Sequence, residues 1–198
     1  MPVRSEDLHG SAPDKSGAAL LLIDVINDFD FPEGDQLLRL AMPVGKNIAQ
    51  LKQRAKSAGI PAIYVNDNFG RWRSDFKKIV AHAREEGKGK EFVELLLPDE
   101  DDYFVLKPKH SGFYSTSLAL LLTHLTAKNL ILTGLAGNNC VLVTANDAYM
   151  RDFKVFVPAD CVASNTEEEN RHALEQMETV LKADTTIATK LDLQKISG

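Results

Sequence analysis

Three reactive side chains fall at the same kind of place in this chain of 198 residues. Asp24 follows the apolar run AALLLI, Lys107 follows YFVL, and Cys140 follows LILTGLAGNN. A thiol, a carboxylate and an ammonium held together can carry out acyl transfer. The sulfur attacks, the carboxylate moves the proton, and the ammonium keeps the two negative charges together. An ordinary thiol of pKa ~8.5 is only about 3% thiolate at pH 7, and a helix N-terminus or a neighbouring ammonium favours the anion. Two glycines in GLAGNN let the backbone turn sharply there and approach a ligand closely. Its free amides would receive the oxyanion of a tetrahedral intermediate. Asp24 would accept the thiol proton, return it to a departing amine, and later activate water.

Such groups meet only if the runs they follow are neighbouring strands, because ligands of an open parallel sheet bind beyond the carboxyl ends. The chain supports that arrangement. Short apolar runs alternate with helical periodicity, which predicts one α/β domain, a three-layer sandwich around a mainly parallel six-stranded sheet. The predicted strands are residues 18–24, 61–65, 103–107, 130–135, 154–158 and 185–189. Pro43 marks a helix start, with Val44, Ile48, Leu51 and Ala55 at helical spacing and Gly59 as its stop. Ser115 or Thr116 caps the next helix, which carries Leu118, Leu121, Leu122 and Leu125. Another helix runs from about Cys140 to Arg151, and Thr166 with Glu169 forms a capping-box pattern. Residues 1–17 read as a mobile N-terminal arm and 18–198 as the domain. Residues 66–100 read as a solvated excursion, with a lid over a pocket as the alternative.

Composition narrows the function. Hydrophobic residues make up 44% of the chain and charged residues 26%, the balance of an ordinary globular protein. A formal charge of −5 gives no nucleic-acid footprint. The longest apolar runs are far shorter than the roughly 18 residues of a membrane span. The N-terminus has no apolar signal segment. Two cysteines without a CxxC pair make no disulfide framework, so a cytoplasmic location is expected. Cys161 reads as packing. His9, His82, His110, His124 and His172 show no metal-ligand spacing, so no metal or other cofactor is expected.

At these residues the sequence resembles the isochorismatase-like cysteine hydrolases. ALLLIDVINDF is similar to the family's first strand and aspartate, VLKPKHSGFYSTSLALLL to its lysine segment, and LILTGLAGNNCVLVTANDAYMRDFKVFVPADCVAS to its nucleophile segment. The match runs from about Ala18 to Thr189, with the three segments in order. The resemblance implies a Rossmann-like fold, an Asp24–Lys107–Cys140 triad, and a homo-oligomer acting on a small molecule. It also implies a cis peptide at Leu135–Ala136 and an oxyanion hole from the amides of Ala136 and Cys140. Phe29 and Trp72 resemble pocket-lining aromatics, with core packing as their other reading. Asn27 either orients the site or makes a local turn bond. Nicotinamidases in the family carry Asp-x-His after the second strand to hold a metal. Here the segment is Asn66-Asp67-Asn68-Phe69, without the histidine. The implied chemistry is hydrolysis of an amide, ureido or related C–N bond through a thioester. The alternatives are vinyl-ether hydrolysis with Asp24 as general acid, and a binding module without catalysis.

Overall fold

The protein is described from a computed structural model, which covers residues 14–70, 72–73 and 75–198. Its strands are β1 (Ala18–Ile23), β2 (Ala62–Asp67), β3 (Tyr103–Lys107), β4 (Asn129–Leu135), β5 (Lys154–Phe156) and β6 (Val162–Ala163). The sheet order is β3-β2-β1-β4-β5, with β6 beside the end of β4, and every pairing is parallel. Its helices are α1 (Gly34–Ser57), α2 (Phe76–Glu85), α3 (Lys90–Leu95), α4 (Leu118–Leu125), α5 (Leu142–Met150), α6 (Glu167–Leu181) and α7 (Leu193–Ser197).

β1 shows why the sheet is central. Ala18, Leu20 and Leu22 enter one apolar core with residues of α1, α2, α3 and α7, while Ala19, Leu21 and Ile23 enter a second with α4, α5 and α6. Both faces are covered, so every residue of the strand is apolar and buried. The chain leaves β1 toward β2 and β3, then returns to β4 on the other side of β1. This creates a switch point at the carboxyl ends of β1 and β4.

Several elements differ from the sequence expectation. α1 starts at Gly34 and passes through Pro43, because Leu37 and Ala41 already bury an apolar face before the proline. That burial offsets the roughly 3 kcal/mol that an interior proline costs a helix. The sixth strand is Val162–Ala163, in register with Gly134–Leu135. Residues 185–189 do not form a strand. Asp184 makes a single bridge to Phe156, its carboxylate accepts the Thr186 N–H at 2.9 Å, and Ala188–Lys190 is a 3-10 turn.

Residues 66–100 are not a solvated excursion. Their helices bury Phe76, Ile79, Ala83, Phe92 and Val93 in the core shared with α1. The Thr166–Glu169 capping box is formed, with Thr166 Oγ1 accepting the Glu169 N–H and Glu169 Oε2 accepting the Thr166 N–H. Residues 1–13 of the proposed arm lie outside the described residues. Ser16 N–H donates to Leu125 O at 2.9 Å and Gly17 N–H to Ser197 O at 3.0 Å.

Candidate active site

The carboxyl ends of β1, β3 and β4 deliver their polar residues to one point. Lys107 Nζ lies 2.9 Å from Asp24 Oδ2 and 3.4 Å from Cys140 Sγ. All three residues are buried. Lys107, at the end of β3, is paired with Asp67 at the end of β2, and its Nζ lies 3.3 Å from Asp67 Oδ2. The ammonium also donates to Lys109 O at 3.2 Å, which ties the following loop to the site.

The backbone around these groups is unusual where it must turn. Asp24 has a φ of 50°, the left-handed region that costs a non-glycine residue energy and persists where the surroundings enforce it. Here Asp67 N–H donates to Asp24 Oδ1 at 2.6 Å, and Asp24 N–H donates to Val65 O at 3.1 Å. Buried Asn66 fixes the next residues: its Oδ1 accepts the Ile26 N–H and its Nδ2 donates to Ile26 O, both at 3.0 Å. Near the end of β4 the chain approaches β1 so closely that a Cβ on Gly134 would stand 2.0 Å from Ile23 O. Gly134 has a φ of 113°, which only glycine accepts readily.

Cys140 sits on a π-helical turn, Gly137–Val141, that runs into α5. The expected helix start at Cys140 is therefore replaced by a π turn followed by α-helix from Leu142. The expected cis bond is also absent: the Leu135–Ala136 peptide is trans, as are all peptides among the described residues. Cis costs a non-proline peptide about 3–4 kcal/mol. In this chain the positive φ of Gly134 and the π turn redirect the backbone.

The electrostatics differ from the sequence reading as well. Burial raises the Asp24 carboxyl above its ordinary value, and the adjacent Lys107 only partly opposes this. Burial works against the Lys107 ammonium, but the charges of Asp24, Cys140 and Asp67 outweigh it and raise the group. The Cys140 thiol is pushed up to about 12, first by burial and then by the Asp24 charge, with Lys107 pulling partly the other way. The ammonium does not secure a resting thiolate. The neutral thiol sits beside a carboxylate with enhanced affinity for its proton.

The remaining sequence candidates do not join this cluster. Phe29 is fully buried, edge-on to Phe92 at 5.4 Å and stacked on Phe31 at 6.4 Å. It is a core residue rather than a pocket wall, since the loop after β1 turns its ring under α3. Asn27 makes the local turn bond, its Oδ1 accepting the Phe29 N–H at 2.8 Å. Trp72 is 79% exposed and stands in solvent. Cys161 is buried. Sequence reasoning gave no site role to His110, whose Nδ1 lies 3.8 Å from Cys140 Sγ. It considered Asp67 only as a metal ligand. The signal for Asp67 was its strand-end position beside β3, and for His110 its place three residues after Lys107.

The donors after β2 do not fit a metal ion. Asp67 Oδ1 accepts the Phe69 N–H at 2.7 Å while Oδ2 faces the Lys107 ammonium. Asn68 Oδ1 accepts the Gly70 N–H at 2.9 Å. The one acidic cluster tight enough to share an ion among the described residues is Asp99, Asp101 and Asp102. Each of its carboxylates is already paired with Lys52 or Lys56.

Comparison with known proteins agrees with this architecture. The isochorismatase domain family matches residues 18–189. An uncharacterized isochorismatase family protein, YaaI of Bacillus subtilis, is 45% identical over 172 residues, 87% of this chain and 94% of that protein. An isochorismatase-like hydrolase from Alkaliphilus metalliredigens superposes with a TM-score of 0.69 at 27% identity, covering 87% of both chains. N-carbamoylsarcosine amidase from Thermoplasma acidophilum gives a TM-score of 0.67 at 25% identity, covering 88% of this chain and 98% of its own. With the family's domain spanning the whole sheet and helices α1 to α6, the chain is a member of the isochorismatase family of hydrolases.

Proposed function

We propose that the protein hydrolyses a small amide or ureido compound through a cysteine thioester, with Asp24, Lys107 and Cys140 as its catalytic residues. The observation that carries this reading is the position of Lys107 Nζ, 2.9 Å from the carboxylate and 3.4 Å from the thiol. Asp24 takes the thiol proton as the sulfur attacks the carbonyl, which is why its raised proton affinity matters. Lys107 compensates the charge that moves between them. The amides of Ala136 and Cys140, before and within the π turn, face the oxyanion. In the simplest scheme the same carboxylate returns the proton to the amine and then activates water. The similarity to an N-carbamoylsarcosine amidase supports C–N chemistry.

A second reading has its own support. A buried carboxyl with a raised pKa is also a good general acid for a vinyl ether, and that reaction does not need the thiol.

The test is intact-mass detection of an adduct during turnover of a panel containing N-carbamoylsarcosine, nicotinamide, simple ureas and a vinyl ether. The expected result is an acyl adduct on Cys140, with both turnover and iodoacetamide labelling lost in Cys140→Ala and kept in Cys161→Ala. Full amide turnover by Cys140→Ala would sink the thioester. Cleavage of only the vinyl ether by that variant would promote the second reading.

A further inference from the structure

The Cys140 sulfur has neighbours of two kinds. On one side are Asp24 and Lys107, 6% and 0% exposed. The other is His110, on the exposed loop after β3, with its Nδ1 3.8 Å from Sγ. The imidazole is held there by its flanking residues. Lys109 O accepts from Lys107 Nζ, Ser111 Oγ donates to the Asp147 carboxylate, and Gly112 N–H donates to Thr144 Oγ1 at 3.0 Å. Both Asp24 oxygens are meanwhile engaged, Oδ1 by the Asp67 amide and Oδ2 by Lys107. One proton carrier near the sulfur is buried, and the other is exposed to water.

We propose that these two carriers divide the work, and that His110 is a catalytic residue serving the substrate's protons while Asp24 serves only the sulfur's. This rests on the thioester reading. In acylation the Cys140 S–H proton passes to the Asp24 carboxylate as the S–C bond forms. The His110 imidazolium then gives its proton to the departing nitrogen as the C–N bond breaks, so a neutral amine leaves and a neutral imidazole remains. In deacylation His110 takes a proton from water as the new C–O bond forms. The C–S bond breaks, and the thiolate recovers its proton from Asp24. The sum is amide plus water giving acid plus amine, with every group of the protein restored. The group that protonates the leaving amine also deprotonates the incoming water, as general acid–base chemistry requires of one position.

The experiment compares His110→Gln with the parent protein on the fastest-cleaved amide of the panel and on the 4-nitrophenyl ester of the same acid. Acylation is read as the pre-steady-state appearance of the Cys140 adduct by intact mass. A nitrophenolate leaves without a proton, whereas an amine does not. His110→Gln should therefore slow amide acylation by about 100-fold or more and ester acylation by less than about 3-fold. The ester's acyl adduct should accumulate, because its hydrolysis by water has lost its base. Alkylation of Cys140 by iodoacetamide, which releases iodide, should proceed at the parent rate and shows that the site is intact. Equal loss on both substrates, or loss on neither, overturns the proposal alone. Absence of any Cys140-dependent cleavage in the parent protein overturns both the thioester reading and the proposal.

Discussion

Lys107 Nζ stands 3.4 Å from Cys140 Sγ, yet the thiol beside this ammonium holds its proton more tightly than a thiol in water. The ammonium also contacts Asp24 and Asp67, and its pull toward the thiolate is opposed by the Asp24 charge. Burial of the sulfur and the Asp24 charge therefore win. Attack must be coupled to proton transfer, and Asp24 is placed to receive the proton.

Stability at high pH reports this directly. The Cys140 thiol is raised to about 12 in the folded protein, so the fold retains a proton that the unfolded chain releases. Stability from this group is fully present below the unfolded value and is lost as pH rises toward the folded one. The loss is at most about 1.4 kcal/mol per pH unit. Urea unfolding from about pH 9 to about 11 should show wild type losing stability more steeply than Cys140→Ala. Cys161 contributes equally to both proteins and cancels. Parallel slopes would mean that the thiol titrates near its ordinary value.

The aromatic residue after β1 gives a second test. Phe29 is buried against Phe92 and Phe31. Phe29→Ala should cost about 3–5 kcal/mol through lost burial and a cavity. For a chain of this length, that lowers the melting temperature by roughly 6–20 °C. Thermal unfolding followed by circular dichroism measures the loss. A variant that melts like wild type but has a raised KM would return Phe29 to the pocket.

These contrasts show what the sequence could convey. Asp24, Lys107 and Cys140 were legible because each ends an apolar run, and parallel strands gather such ends at one edge. The bounds of strand β3 are legible too, since turn residues on both sides isolate YFVLK. The burial of Phe29 was not legible. It depends on α3 closing over the loop after β1, a contact between segments about sixty residues apart. The start of α1 was hidden by Pro43, whose local penalty is outweighed by burial of Leu37 and Ala41. Residues 185–189 are rich enough in β-branched side chains to suggest a strand, but the Asp184 carboxylate accepts the Thr186 N–H and caps its own turn. The role of His110 is not legible in metal-ligand spacing, because its partner is a sulfur on the π turn after β4.

The last prediction concerns metal dependence and follows from the pairing of β2 with β3. Parallel register places Asp67 beside Lys107, and the carboxylate faces the ammonium at 3.3 Å. A divalent cation bound by Asp67 would have to displace that contact or share the carboxylate with a positive neighbour, and Coulomb repulsion opposes the second arrangement. Asn68 offers no replacement, because its carbonyl oxygen already accepts the Gly70 N–H. A catalytic zinc ordinarily requires three protein ligands, and the stretch Asn66-Asp67-Asn68-Phe69 has no histidine to supply one. The proposed reaction derives its nucleophile from Cys140 and its oxyanion donors from the backbone. Protein treated with chelator and verified metal-free by elemental analysis should therefore keep its amide turnover within about 2-fold, the margin of a step with no Lewis acid to lose. Asp67→Asn should lower turnover in both preparations alike, through the weakened hold on Lys107. Turnover that disappears on chelation and returns with zinc would instead make Asp67 a ligand and Lys107 a displaced neighbour.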